Sequence, residues 1–288
     1  MNWHDIRDPN DPELDRLAEQ YHLHPLHIED CRHRNESAKA EEQDTYMFVV
    51  LNLMKIEKDL TVDVFDFDVF VGPDFVITVQ EGDCPGLRAA LDKADAKKHQ
   101  YRPDQLLYRI MDAAVDDYLP TLDFLNDHID ETEDKVLTNA NPELLQRIFD
   151  MKRTLIDIRR VLTHMRDVTA HLQRTETDLI KPDLLPFLRD VYDHVARNLD
   201  IIETQRDIVN GSMDIYLSSV ANRTNQVMKV LTIVGTVTLP AIIISSLYGM
   251  NVKGMPWADS PQGFHLVIGL IVGTSVVLAV LLRIFRWF

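Results

Sequence analysis

A chain of 288 residues has room for one or two domains with a hydrophobic core. Its formal charge of −16, from 46 acidic against 30 basic residues, argues against a nucleic-acid binder, which needs a basic face to neutralise phosphates. Its two cysteines, Cys31 and Cys84, have no CxxC or zinc spacing, so a disulfide framework is not expected and a reducing compartment suits them.

The stretch Met1 to Asp15 is charged and contains proline, without the apolar run of a signal peptide. Residues 12–31 and 84–98 have helical character. Between them, Tyr46–Ile56 reads as a strand, and Val62–Val71 and Phe75–Gln80 as a further pair turned by Gly72-Pro73-Asp74. These segments predict a compact α/β domain over residues 1–100. From Pro103 the apolar residues recur at helical steps, first Leu106, Ile110, Ala113 and Ala114, then Leu122, Leu125, Ile129 and Val136. Asn141-Pro142-Glu143 is a helix start, with Asn as cap and Pro in the first turn. Residues 101–180 are therefore expected to form acidic antiparallel helices. The carboxylates crowded between Asp112 and Asp134 read as a solvated face, or as a reservoir that concentrates cations. After Pro186 no strong breaker occurs before Pro240, which predicts one helix of about 64 residues, roughly 96 Å long. Its first part, 181–229, would be a stalk continuous with a membrane span.

Val230 to Val252 carries no formal charge, and Phe264 to Leu282 has only His265 at its edge. Each run reaches the ~20 residues that cross a bilayer. The alternative, a pair of buried core helices, would leave charge on at least one face. The two spans, 230–251 and 264–285, are joined by a short loop over 252–263, so they form a hairpin. Arg223 and Lys229 precede the first span and Arg283 and Arg286 follow the second, which places both termini in the cytoplasm. The first span carries Thr232, Gly235, Thr236, Thr238, Pro240, Ser245 and Ser246, and its small and hydroxylated residues suit either helix packing or a water-lined pore.

The first span ends in Tyr248-Gly249-Met250-Asn251. Gly-Met-Asn at the outer end of the first of two C-terminal spans resembles the CorA family of divalent metal-ion transporters. Similar stretches run through nearly the whole chain. They include Met228–Ile233, Pro240, Arg189–His194, Arg206–Val209, Asp214–Ser219, Asp112–Tyr118, His24-Pro25-Leu26 and Ile28-Glu29-Asp30. The resemblance implies a homopentameric, funnel-shaped channel in the plasma membrane, with an α/β N-terminal domain, a long helical stalk and two transmembrane helices. It implies Mg2+ as the transported ion. Selection of a hydrated ion is coarse, which leaves Co2+ and Ni2+ as further candidates.

In that family the first span lines the pore. The matching positions are Asn225, Met228, Leu231, Gly235, Leu239, Ile242 and Ser246, with Asp214 as an acidic ring at the inner mouth. Gly249, Met250 and Asn251 would form the selectivity filter, where a ring of neutral amides holds Mg2+ through its water shell. The family also closes when internal Mg2+ binds between subunits; the matching residues are Asp30, Asp190, Glu29 and Asp112. Two features depart from the family pattern. The N-terminal domain is short, so strands at the front of the sheet are expected to be missing. Trp257 follows Met255-Pro256 where relatives carry an acid, leaving Asp259 as the local carboxylate. A zinc transporter of the ZntB type is the alternative within the family, although Met250 favours Mg2+. A membrane-anchored scaffold without transport is the alternative outside it. No P-loop, HExxH or nucleophile constellation suggests an enzyme.

Overall fold

The computed structural model describes residues 1–33, 37–80, 85–95, 100–138, 141–250, 254–257 and 260–285. Strand β1 spans Asn2–Ile6 and is followed by α1 (Pro12–Tyr21) and α2 (Pro25–Arg32). Strands β2 (Lys39–Glu42), β3 (Met47–Ile56), β4 (Val62–Val71) and β5 (Phe75–Gln80) come next. Helices α3 (Pro85–Asp95), α4 (Pro103–Asp116), α5 (Tyr118–Thr138) and α6 (Pro142–Arg174) complete the first half. A 3-10 turn at Pro182–Leu184 leads into α7 (Leu185–Tyr248), and α8 covers Gly263–Ile284. Two compact units result, Met1–Ile215 and Tyr216–Phe288, and the boundary falls within α7.

The five strands are ordered β1-β5-β4-β3-β2, with β1 parallel to β5 and the other pairs antiparallel. Strand β3 is buried from Met47 to Met54, so both of its faces are covered. This accounts for its unbroken apolar sequence, as strands covered on two sides lose polar alternation. On one face, Phe48, Val50, Phe70 and Ile77 pack with Leu14 and Leu17 of α1 and with Ile28 and Cys31 of α2. On the other, Met47, Val49, Leu51 and Phe67 point toward the side where α4, α5 and α6 meet the sheet. The Tyr118 hydroxyl donates to the Asn52 carbonyl, and the Thr154 hydroxyl to the Leu60 carbonyl, fixing α5 and α6 to the β3–β4 hairpin.

Prolines sit in the first turns of α1, α2, α4 and α6, where a missing N–H costs nothing. Asp11, His24 and Asn141 cap three of these helices by accepting from Glu13, Leu26 and Leu144 N–H groups. The segment 12–31 is two helices, because His22 takes a left-handed conformation (φ 54°) that ends α1. Strands β1 and β2, which sequence pattern does not announce, occupy the two sheet edges.

In the second unit α7 and α8 pack against each other. The half-buried positions of α8 are Val267, Ile271, Thr274, Ser275, Leu278, Ala279 and Leu282, a stripe at three- and four-residue steps. The Ser275 hydroxyl donates to the Val237 carbonyl at 3.0 Å. That carbonyl lies one residue from the Thr236 carbonyl whose helical donor Pro240 lacks.

Candidate functional site

On α7 the half-buried residues after Ala221 include Lys229, Ile233, Val237, Ala241, Ile244 and Tyr248, the side that meets α8. Asn225, Met228, Leu231, Gly235, Leu239, Ile242 and Ser246 are all exposed. At about 100° per residue their stripe is centred roughly 150° round the helix from the α8 side. One face is thus covered, and the opposite face presents an apolar column interrupted by Gly235 and ended by the polar Asn225 and Ser246. Met228 is 57% exposed and Leu231 66%, in a helix long and apolar enough to cross a bilayer. Bare apolar area of this extent marks a membrane or protein contact. Asp214 is exposed on α7 in the first unit.

The helical backbone ends at Tyr248; Gly249 N–H still reaches the Ser245 carbonyl at 2.9 Å, and Met250 N–H the Leu247 carbonyl at 3.2 Å. Gly249 is not a left-handed cap: among the described residues the glycine with positive φ is Gly254. A Cβ on Gly249 would come 3.3 Å from the Ser245 carbonyl, so the position is tight. The Tyr248 hydroxyl donates to the Pro256 carbonyl at 3.0 Å and ties the helix end to the connecting segment. The Trp257 carbonyl passes so close to Gly263 that a Cβ there would lie 2.2 Å away. Asn251 and Asp259 lie outside the described residues.

The four carboxylates expected to hold a regulatory ion fall into two places. Asp112 on α4 and Asp190 on α7 come within electrostatic reach of each other. Burial, then the charge of Asp116, pushes the Asp112 carboxyl upward; His194 opposes this and Asp190 adds to it. The Tyr108 hydroxyl is hydrogen bonded to Asp112, and its own acidity falls through burial and the charges of Asp112 and Asp190. Asp190 is largely exposed, with His194 Nε2 at 3.9 Å from its Oδ1. Glu29 and Asp30 lie on α2. The Glu29 side chain is exposed, while its carbonyl accepts from the His33 backbone at 3.0 Å. Asp30 accepts from Lys39 Nζ at 2.8 Å.

Carboxylates alone are a donor set for a hard ion such as Mg2+, which prefers oxygen and keeps much of its water. The crowding of Asp112 with Asp116 and Asp190 is the kind of repulsion a divalent ion relieves. Among the described residues, however, no group of three or more His, Cys, Asp and Glu is arranged to hold a metal ion. Tyr108 and His194 join this site without having been anticipated, although Tyr108–Asp112 and Asp190–His194 are four-residue helical pairs visible in the sequence. Lys39 had no such signal, because it reaches Asp30 only through the fold.

The family described as CorA-like Mg2+ transporter protein matches residues 1–283. The chain is 35% identical over 278 residues to the cobalt/magnesium transport protein CorA of Thermotoga maritima, covering 95% of this chain and 79% of that one. It is 27% identical over 288 residues to the protein of the same name from Methanocaldococcus jannaschii, covering 99% and 89%. The complete structure of the CorA magnesium transporter from M. jannaschii superimposes with a TM-score of 0.87 at 26% identity, over 99% of this chain and 91% of that one. A match of this extent spans the α/β domain, the long helix and both apolar helices, so the protein is a membrane protein and belongs to the family of CorA-like Mg2+ transporters.

Proposed function

We propose that the protein is a channel for Mg2+, admitting Co2+ and Ni2+ less selectively, driven by the membrane potential and closed by internal Mg2+ bound between subunits. The observation that carries it is the exposed α7 face from Asn225 to Ser246, opposite the side covered by α8. A helix whose partner covers one side and whose other side is a largely apolar column needs further copies to bury it. Five copies around an axis, with α8 outside, give that arrangement. The names of the Thermotoga and Methanocaldococcus relatives, which transport cobalt and magnesium, supply the ions.

In this homopentamer, held in the plasma membrane with both termini in the cytoplasm, Asn251 carries the filter together with Gly249 and Met250. Tyr248, through Pro256, steadies the helix end beneath it. Met228, Leu231 and Leu239 form an apolar constriction that excludes water when narrow. Asp214 is the acidic inner mouth, drawing cations by charge. A divalent ion gains about 4.6 kcal/mol per 100 mV of inside-negative potential, at about 2.3 per charge, so no nucleotide need be consumed. Regulatory Mg2+ bridges Glu29 and Asp30 of one copy to Asp112 and Asp190 of the next and holds the closed state.

The test is ion flux into proteoliposomes with Mg2+, Co2+ and Zn2+, comparing wild type with Asn251→Ala. Mg2+ and Co2+ flux that rises with an inside-negative potential, and that Asn251→Ala reduces or makes unselective, is expected. Zn2+ flux alone would point to a zinc transporter, and no flux for any ion to a scaffold.

A further inference from the structure

We propose that Lys39 is a tethered cation that competes with Mg2+ for Asp30 and so sets the internal Mg2+ concentration at which the channel closes. The proposal rests on the feedback role assigned to Asp30 above and concerns how that site is tuned.

Lys39 opens β2, and its Nζ lies 2.8 Å from Asp30 Oδ2 and 3.2 Å from Glu41 Oε1. The same ammonium lies over the Phe48 ring, 5.9 Å from its centroid. Glu41 is itself fixed, since its Oε2 meets His27 Nε2 at 3.0 Å. His27 is buried, hydrogen bonded through Nδ1 to the Tyr46 hydroxyl at 2.8 Å and stacked on Phe48 at 4.4 Å. The lysine is thus aimed at Asp30 by a framework anchored in the sheet. Lys39 and Asp30 are 30% and 21% exposed, so the pair is reachable from solvent but not freely hydrated.

A divalent ion arriving at Asp30 meets a positive charge already seated on one carboxylate oxygen. Either the ammonium withdraws, losing its contact, or it stays and repels the ion. Both raise the Mg2+ concentration needed for occupancy, while the ion's double charge still wins when it is abundant. A lysine ammonium is charged at cellular pH, so the competitor keeps its charge. The bland reading of the same contact is a structural ion pair. That role would change heat stability when Lys39 is replaced and leave the Mg2+ response alone.

The experiment uses the full-length protein in detergent. Mg2+ is titrated while protection from limited proteolysis reports the closed state, with proteoliposome flux as a second readout. Lys39→Gln is expected to lower the protecting Mg2+ concentration roughly three- to tenfold. Lys39→Arg, which keeps the charge, should stay within about twofold of wild type. In an Asp30→Asn background Lys39→Gln should produce no further shift, because the carboxylate under competition is gone. Lys39→Met keeps the aliphatic stem over Phe48 and replaces the Gln variant if that one does not fold. A wild type that Mg2+ never protects would remove the feedback reading and the competitor with it. A protected wild type whose midpoint is unchanged or raised by Lys39→Gln would overturn the competitor role alone.

Discussion

Asp104 is 2% exposed in the first turn of α4, and both of its oxygens are used. Arg102 grips it through Nε to Oδ1 and Nη2 to Oδ2, each at 3.0 Å. The Gln105 N–H reaches Oδ1 at 2.9 Å and the Lys181 N–H reaches Oδ2 at 3.2 Å. One carboxylate thereby ties the start of α4 to the segment that leads into α7. Asp104→Ala leaves two backbone donors and a guanidinium without their acceptor, at a cost of about 3 kcal/mol. A fall of roughly 5–10 °C in the unfolding midpoint of the detergent-solubilised protein is expected; a change under a degree would show that the contacts are replaced by water. Arg102 also holds Asp183, chiefly by hydrogen bonding, and keeps its carboxyl below the usual range. That contribution is present above the unfolded carboxyl's pKa and is lost as pH falls through the lowered folded value. In the sequence, Asp104 looks like any acid near a helix start; its burial depends on Lys181, far along the chain. The carboxylates of the candidate regulatory site were legible as residues through family resemblance, but the lysine beside Asp30 was not.

Strands β3, β4 and β5 were legible because an unbroken apolar run, an alternating run and a Gly-Pro-Asp turn each have a local signature. At Gly72 the reason for glycine is steric: a Cβ would fall 2.1 Å from the Phe75 ring. Strand β1, with the mixed sequence Asn-Trp-His-Asp-Ile, receives its backbone partners from β5, more than seventy residues away. Strand β2 is Lys-Ala-Glu-Glu, a polar edge of the kind that local propensity does not flag. The long helix was legible from the missing breakers: expected from Pro186 to Gly249, it runs from Leu185 to Tyr248. The division of α7 into faces gives a prediction with two arms. Ile244 is half-buried toward α8, whereas Leu239 is exposed on the opposite stripe. Ile244→Ser should loosen the α7–α8 pair and lower the heat stability of the solubilised protein by several degrees. Leu239→Asn should leave that midpoint near wild type while raising Mg2+ flux several-fold at closing Mg2+ concentrations, because a polar ring holds water where an apolar one dries. Equal stability losses from both substitutions would mean that both positions are packed, and the stripe would not be a pore face.

At the scale of the whole molecule, the proposed regulatory site makes assembly a matter of function. Among the described residues no single copy gathers three metal-binding side chains, and its carboxylates divide between α2 and the α4–α7 pair. A contact between unlike patches that closes after a fixed rotation builds a ring, and in the proposed homopentamer α2 of one copy would meet α7 of the next in such a contact. The arrangement can be read covalently. Asp30→Cys and Asp190→Cys are combined with Cys84→Ser, and the protein is treated in lipid with a short bis-maleimide. Cys31 can remain, since it is buried and its thiol is pushed far up, first by burial and then by the charge of Asp68, so little reactive thiolate exists. Denaturing gels should then show a ladder of linked chains ending at the pentamer, with the last band further compacted by ring closure. Each single-cysteine variant should remain monomeric under the same treatment. A ladder that stops at the dimer would indicate a two-fold contact between like patches, and bands confined to the monomer despite full labelling would place Asp30 and Asp190 away from each other between copies. The first result would replace the ring by a two-fold pair, and the second would separate the regulatory carboxylates from the subunit interface and leave Lys39 and Asp30 as a structural pair within one chain.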